Sequence, residues 1–292
     1  MLNLHVEVRG EGPALVLVPG GGGDAGMYAE VAPLLAQDHA VITYDRRGNS
    51  RSPLPSPHCP IDVATQADDV IALLDRLDIR RAAIFGSSGG AIITLDLLAR
   101  YPERLTAAVA HEPPLMSILE SDSLERRALE GIHRLGVRRG PLRAFAAFGA
   151  MTMPDPPWLF RSAPGQALIA FASQVATSGG HAWRTITGRQ PGTMARILSN
   201  VELLIRRELP EFCDYTSDID ALRTSQVPWA TAVGLESHGR PYFRPAYALA
   251  GQAEVECVEF PGGHTIYMQN PRVFMERLNR LLKELQTCRE QD

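Results

Sequence analysis

Six residues, Phe85-Gly86-Ser87-Ser88-Gly89-Gly90, constrain this chain more than any other stretch. The run Arg81–Phe85 ahead of them reads as a buried strand. The run Ala91–Arg100 after them reads as a buried helix stopped at Pro102. A strand that turns at once into a helix leaves no room for side chains at the corner. Glycines at both sides of one serine supply that room. Only the register Gly86, Ser88, Gly90 fits Gly-x-Ser-x-Gly, because Phe85 stands two residues before Ser87. The Ser88 hydroxyl is then expected at the C-terminal edge of a sheet, beside a helix N-terminus that favours developing negative charge. A Gly/Ser-rich turn with no chemical role is the plainer reading of the same residues.

The rest of the chain supplies a sheet for that corner. Residues 2–9 alternate apolar and polar, as an edge strand does. Ala14–Val18 is a buried strand that runs into the glycine turn Pro19-Gly20-Gly21-Gly22-Gly23-Asp24, and a helix is expected at about 27–36. Ala40–Tyr44 is the next strand, followed by Asp45-Arg46-Arg47-Gly48-Asn49-Ser50 and a Pro/Ser-rich loop at 51–60. Val63, Ala67, Val70, Leu74 and Leu77 repeat at helical spacing. A strand over Leu105–Ala110 ends at His111-Glu112-Pro113-Pro114. From 115 to 218 no buried strand is legible. Alternation resumes with strands over 229–233 and 255–260 and helices near 241–251 and over 271–287. This order predicts an α/β fold: a doubly wound, mostly parallel sheet. Residues 1–114 and 219–292 form the core, and 115–218 a helical cap inserted into it.

Composition removes several classes of function. Acidic residues outnumber basic ones by four and no basic run occurs, which argues against nucleic acid and anionic membrane as partners. Four cysteines lie scattered without metal spacing, the pattern of reduced thiols in a cytoplasmic protein. The alternation of Leu2, Leu4, Val6 and Val8 reads as an edge strand rather than a signal peptide. No apolar stretch is long enough for a bilayer. A homodimer is compatible with this composition.

With these features in order, the chain resembles the α/β-hydrolase family over nearly its whole length. The features are the turn at 19–24, the Tyr44–Ser50 loop, the corner at 86–90, and His264 behind Gly262 and Gly263 after the last strand. The resemblance implies a serine, an acid and a histidine in that chain order. Ser88 is then the nucleophile and His264 the base, with His238 and His111 as the other histidines weighed. It further implies an oxyanion hole from the N–H groups of Gly21 and Gly89. The acid departs from the commonest pattern. The turn after the strand at 229–233 reads Gly234-Leu235-Glu236-Ser237, with serine where relatives carry aspartate. A second site used in the family, the end of the strand after the corner, holds Glu112. Its placement resembles haloalkane dehalogenases and, with His-Glu-Pro-Pro, fungal zearalenone lactone hydrolases. Glu236 and Asp218 are the alternatives. The implied activity is hydrolysis of an apolar carboxylic ester or lactone, with no metal or organic cofactor. Phe145, Phe148, Met151, Met153, Trp158 and Trp183 all fall in the insertion, either as substrate contacts or as its own small core.

Three rivals stay open at this stage. Gly21-Gly22-Gly23-Asp24-Ala25-Gly26 fits a dinucleotide fingerprint, with Asp45 near the spacing of a ribose-binding acid. The similar architecture also hosts carbon–carbon hydrolases and lyases, and receptors that turn nothing over.

Overall fold

The computed structural model describes residues 4–153, 155–187 and 191–288, and of residues 179–187 and 288 the backbone alone. The strands are β1 (Val6–Arg9), β2 (Ala14–Val18), β3 (Ala40–Tyr44), β4 (Ala82–Ser87), β5 (Leu105–His111), β6 (Trp229–Gly234) and β7 (Cys257–Phe260). They form one seven-stranded sheet in the order β1-β3-β2-β4-β5-β6-β7. β1 runs antiparallel to β3, and every other pairing is parallel. The helices between β1 and β5 are α1 (Ala32–Leu35), α2 (Val63–Arg76) and α3 (Gly89–Arg100). Between β5 and β6 come α4 (Leu124–Arg139), α5 (Pro141–Thr152), α6 (Trp158–Arg161), α7 (Ala163–Thr187), α8 (Thr193–Leu203), α9 (Leu209–Asp214) and α10 (Ile219–Arg223). The chain closes with α11 (Phe243–Ala253), α12 (Ile266–Gln269) and α13 (Pro271–Cys288).

Side chains alternate across a strand, so a sheet covered on both faces divides one sequence between two cores. Val16, Val18, Ile42, Ile84, Ala108 and Ala110 pack against α2, α3 and α11 on one face. Leu15, Leu17, Val41, Phe85, Val109 and Ala232 pack against α1 and α13 on the other. This is why the strands read as continuous apolar runs. A third cluster, with Leu129, Ile132, Ala144, Val201, Leu204, Ile205 and Leu209, belongs to the helical stretch between β5 and β6. Among the described residues no helix is long and apolar enough to cross a membrane.

Two expected boundaries moved. The helix expected at 27–36 is a 3-10 turn over Ala25–Tyr28 and then α1, which starts at Ala32 with Pro33 in its first turn. Proline has no N–H to continue a helix from upstream, but it fits a first turn. The last strand begins at Cys257, not 255. Glu254 closes α11 in the left-handed conformation (φ 57°), and the Val255 N–H donates back to Ala250 O at 3.0 Å.

Candidate active site

Ser88 is the residue between β4 and α3, with φ 56° and ψ −122°. Its N–H donates to His111 O at 2.8 Å, which fixes the corner to the neighbouring strand. The flanking glycines are required by contact. A Cβ on Gly86 would lie 2.2 Å from both Gly90 O and Thr94 Oγ1, and one on Gly90 2.2 Å from Val18 O. Strand and helix therefore pass too closely for any side chain at either position. Ser87 points the other way. It is fully buried, its hydroxyl 3.4 Å from His111 Nδ1.

Glu112 follows β5 directly, is fully buried and holds φ 49°. One carboxylate oxygen accepts the Gly234 N–H at 2.7 Å, and the other is hydrogen-bonded to His264 Nδ1. Burial works to raise the Glu112 pKa. The neighbouring imidazole of His111 and the hydrogen bond from His264 outweigh it and hold the carboxyl below its usual value. His264 is itself 4% exposed. With Nδ1–H given to Glu112, its Nε2 is left as an acceptor. Among the described residues no hydrogen bond closes between His264 and the Ser88 hydroxyl. Such bonds are often long without substrate and tighten when the complex forms. Beside this pair, burial pushes His111 down to about 4, so it is uncharged at neutral pH.

The glycine turn after β2 is held by a buried cation. Arg46 donates to Pro19 O and Gly20 O, both at 2.9 Å, and also bonds Gln66. Its charge is matched by Glu208, which accepts from Arg46 Nη1 at 2.5 Å and Nη2 at 2.9 Å. Both side chains are almost wholly buried. Glu208 ends a π-helical turn, Leu204–Glu208, just before α9. Two further ties join α8 to the same region. Arg196 pairs with Asp24 at 2.6 Å, and Asn200 donates to Gly22 O at 2.6 Å. The Arg46 fork takes two carbonyls of the turn. Of the turn's N–H groups, Gly21 has no acceptor among the described residues, while Gly89 opens α3, where an N–H has no partner one turn back.

A cavity of about 450 Å³ opens over the corner. Ser88, Gly21 and His264 form its floor. Its walls come from Phe145, Phe148, Met153, Phe160 and Ile169 on one side, and Met27, Ile197, Tyr267 and Met268 on the other. A narrow apolar recess lies next to it, where Leu204, Leu209, Phe212 and Tyr242 surround Ser88 and Gly89. The volume suits a small organic ligand, and apolar walls with few polar anchors are the usual lining of such sites.

The structure brings Ser88, Glu112, His264, Gly21, Gly89 and Met153 to one place. It does not bring Trp158, whose side chain is 63% exposed on the short helix α6 and lies outside the cavity lining. Pro157 at the helix start and the four-residue length of α6 turn that face outward, while Phe160, two residues on, faces in. Met151 packs instead against the helical stretch's own cluster. The Trp183 side chain lies outside the described residues. Apart from His111, which packs beside the pair, the rival acids and bases sit elsewhere. Glu236 and His238 are exposed, and Asp218 caps α10 by accepting the Ala221 N–H. Asp45 is fully buried and already taken by Ala25 N–H and Arg51, which leaves no carboxylate for a ribose. Sequence reasoning missed Arg46–Glu208 and Tyr242. Nothing local marks a pair separated by 162 residues. Met268 and Tyr267 were findable, since a loop that carries His264 into the site also carries its next turn.

A family model described as "alpha/beta hydrolase fold" matches residues 13–135. The chain is 35% identical over 286 residues to the uncharacterized hydrolase YraK of Bacillus subtilis, covering 97% of this chain and 93% of that one. It is 28% identical to a zearalenone hydrolase of Bionectria ochroleuca, covering 92% and 90%. The crystal structure of an enol-lactonase from Burkholderia xenovorans superposes with a TM-score of 0.63 at 20% identity, covering 96% of each chain. Corner, sheet order and near full-length similarity agree: the chain belongs to the α/β-hydrolase family.

Proposed function

We propose that this hydrolase cleaves a carboxylic ester or lactone of an apolar small molecule through a seryl acyl-enzyme. Ser88 Oγ attacks the carbonyl carbon while His264 Nε2 takes its proton. Glu112 keeps the Nδ1–H tautomer and stabilises the imidazolium that forms. The Gly21 and Gly89 N–H groups donate to the oxyanion. The carbon–oxygen bond then breaks, and His264 returns the proton to the leaving alcohol. Water repeats the sequence on the acyl-enzyme and frees the acid and Ser88. The observation that carries this reading is one cavity floor shared by Ser88 and His264, the latter bonded to a buried glutamate. Similarity to a zearalenone hydrolase supports the same bond class. In this reading residues 115–218 act as a cap whose inner face selects the substrate.

Labelling with a fluorophosphonate, followed by peptide mapping, tests the assignment. The label is expected on Ser88, and folded protein that stays unlabelled there would remove the serine-hydrolase reading. The apolar walls lead to a second expectation. Each methylene moved from water into such a cavity contributes about 0.8 kcal/mol at most. The kcat/KM for p-nitrophenyl hexanoate is therefore expected to exceed that for the acetate by about tenfold to a hundredfold. A preference for acetate over all longer or ring-bearing esters would remove the apolar-substrate claim.

A further inference from the structure

The Glu112 hydrogen bond holds His264 by one edge only. A ring tied at Nδ1 still turns about that bond, and Nε2 would swing away from Ser88. Its face is held by a different residue. Tyr242, 3% exposed and just ahead of α11, stacks on the His264 ring with centroids 3.9 Å apart and planes at 29°. The Tyr242 hydroxyl donates to Met151 O at 2.6 Å, which ties the ring to the end of α5. Burial pushes that hydroxyl up, so it stays a neutral donor.

We propose that Tyr242 is a positioning residue for His264, and that its ring face also stabilises the imidazolium formed when Ser88 attacks. This rests on the seryl mechanism above. Neutral imidazole gains only offset stacking from the tyrosine. Imidazolium gains the attraction of a cation for the negative face of a π-system. The gain appears as the proton arrives, so it lowers the barrier instead of tightening the ground state. The other titratable groups facing His264 do not duplicate it. Glu112 acts at the Nδ1 edge. His111, 6.3 Å away on β5, is uncharged at neutral pH because burial pushes it down to about 4. Tyr267 on α12 is a neutral phenol, pushed up to about 12 by burial.

The rate of Ser88 phosphonylation by a fluorophosphonate, followed against pH, isolates the step. The Ser88 oxygen–phosphorus bond forms, the phosphorus–fluorine bond breaks, fluoride leaves, and the serine proton passes to His264. The acid limb of this profile reports His264 protonation. Tyr242→Phe keeps the face and is expected to keep the acid limb, with kinact within about twofold. Tyr242→Leu removes the face. It is expected to lower kinact about three- to tenfold with KI unchanged, and to move the acid-limb midpoint down by about half a unit. Tyr242→pentafluorophenylalanine keeps the shape but reverses the charge on the face, and is expected to follow the leucine variant. If the leucine variant does not fold, the fluorinated one decides. A fluorinated variant with the parent's kinact and acid limb would overturn the proposal. So would a phenylalanine variant as slow as the leucine one, since the Met151 hydrogen bond would then be what matters. Absence of label on Ser88 in the parent protein is a separate result, and it would overturn the seryl mechanism itself.

Discussion

Glu112→Gln is expected to lower kcat by about two to four orders of magnitude, while Glu236→Gln changes it less than about twofold. The reason is tautomer as much as charge. A carboxylate in that position only accepts, so it forces the proton onto His264 Nδ1 and leaves Nε2 free to act as a base. An amide can turn its NH2 toward the ring. Nδ1 then becomes the acceptor, and the proton sits on Nε2, facing Ser88 with nothing to take. The amide also offers no charge to the imidazolium. Glu236 is exposed in the loop after β6, with no ring to hold. The measurement is kcat for both variants at matched melting temperature. A folded Glu112→Gln enzyme with near-parental kcat would show that the acid lies elsewhere.

A second large effect is expected in stability. Glu208→Ala leaves the Arg46 guanidinium buried without its counter-charge, which typically costs about 3–5 kcal/mol. Asn49 Nδ2, 3.1 Å from Glu208, also loses an acceptor. Phe212 offers only its ring face, 5.2 Å from the Arg46 carbon, and that compensates little. Removing both charges, as Arg46→Met with Glu208→Leu, is expected to recover part of the loss. It does not recover all of it, because Pro19 O and Gly20 O lose their donors. Urea unfolding of Arg46→Met, of Glu208→Leu and of the double variant closes the cycle. A Glu208→Ala protein within about 1 kcal/mol of the parent would mean that water reaches Arg46 and the pair is not truly buried.

The layers of the fold were legible because the physics is local and repetitive. A parallel sheet covered on both faces demands unbroken apolar runs, and Val16–Val18, Ile84–Phe85 and Val109–Ala110 are such runs. Gly86 and Gly90 were legible because a corner tight enough to bring Val18 O against α3 excludes every other residue. The candidate site was legible where it sits at strand ends: Ser88 after β4, Glu112 after β5, His264 after β7. It was illegible where it depends on how the helical stretch docks. Trp158 and Phe160 are two residues apart on one short turn, and hydrophobicity alone does not say which faces the cavity. Glu208 reads as one more surface acid in a helix. Its burial follows from a π turn that re-aims the chain toward Arg46, and a sequence pattern carries no trace of that turn. Tyr242 reads as a helix-start aromatic until the chain, having passed through α11 and β7, brings His264 back against it.

Two of the chain's non-glycine residues with positive φ are Ser88 and Glu112, at the tips of adjacent strands. Side chains resist that region, and each such residue costs on the order of 1 kcal/mol or more relative to a relaxed backbone. Glycine removes that backbone penalty at both positions, but at Glu112 it also leaves the Gly234 N–H and the His264 Nδ1–H without their acceptor. The backbone is thus strained at two residues of the candidate site. Selection of this protein for heat resistance alone would favour glycine in place of Ser88, and in the seryl mechanism proposed above such variants melt later than the parent but turn nothing over. Any search for a hardier form has to score turnover in the same round as survival, or it will converge on a well-folded protein with an empty corner.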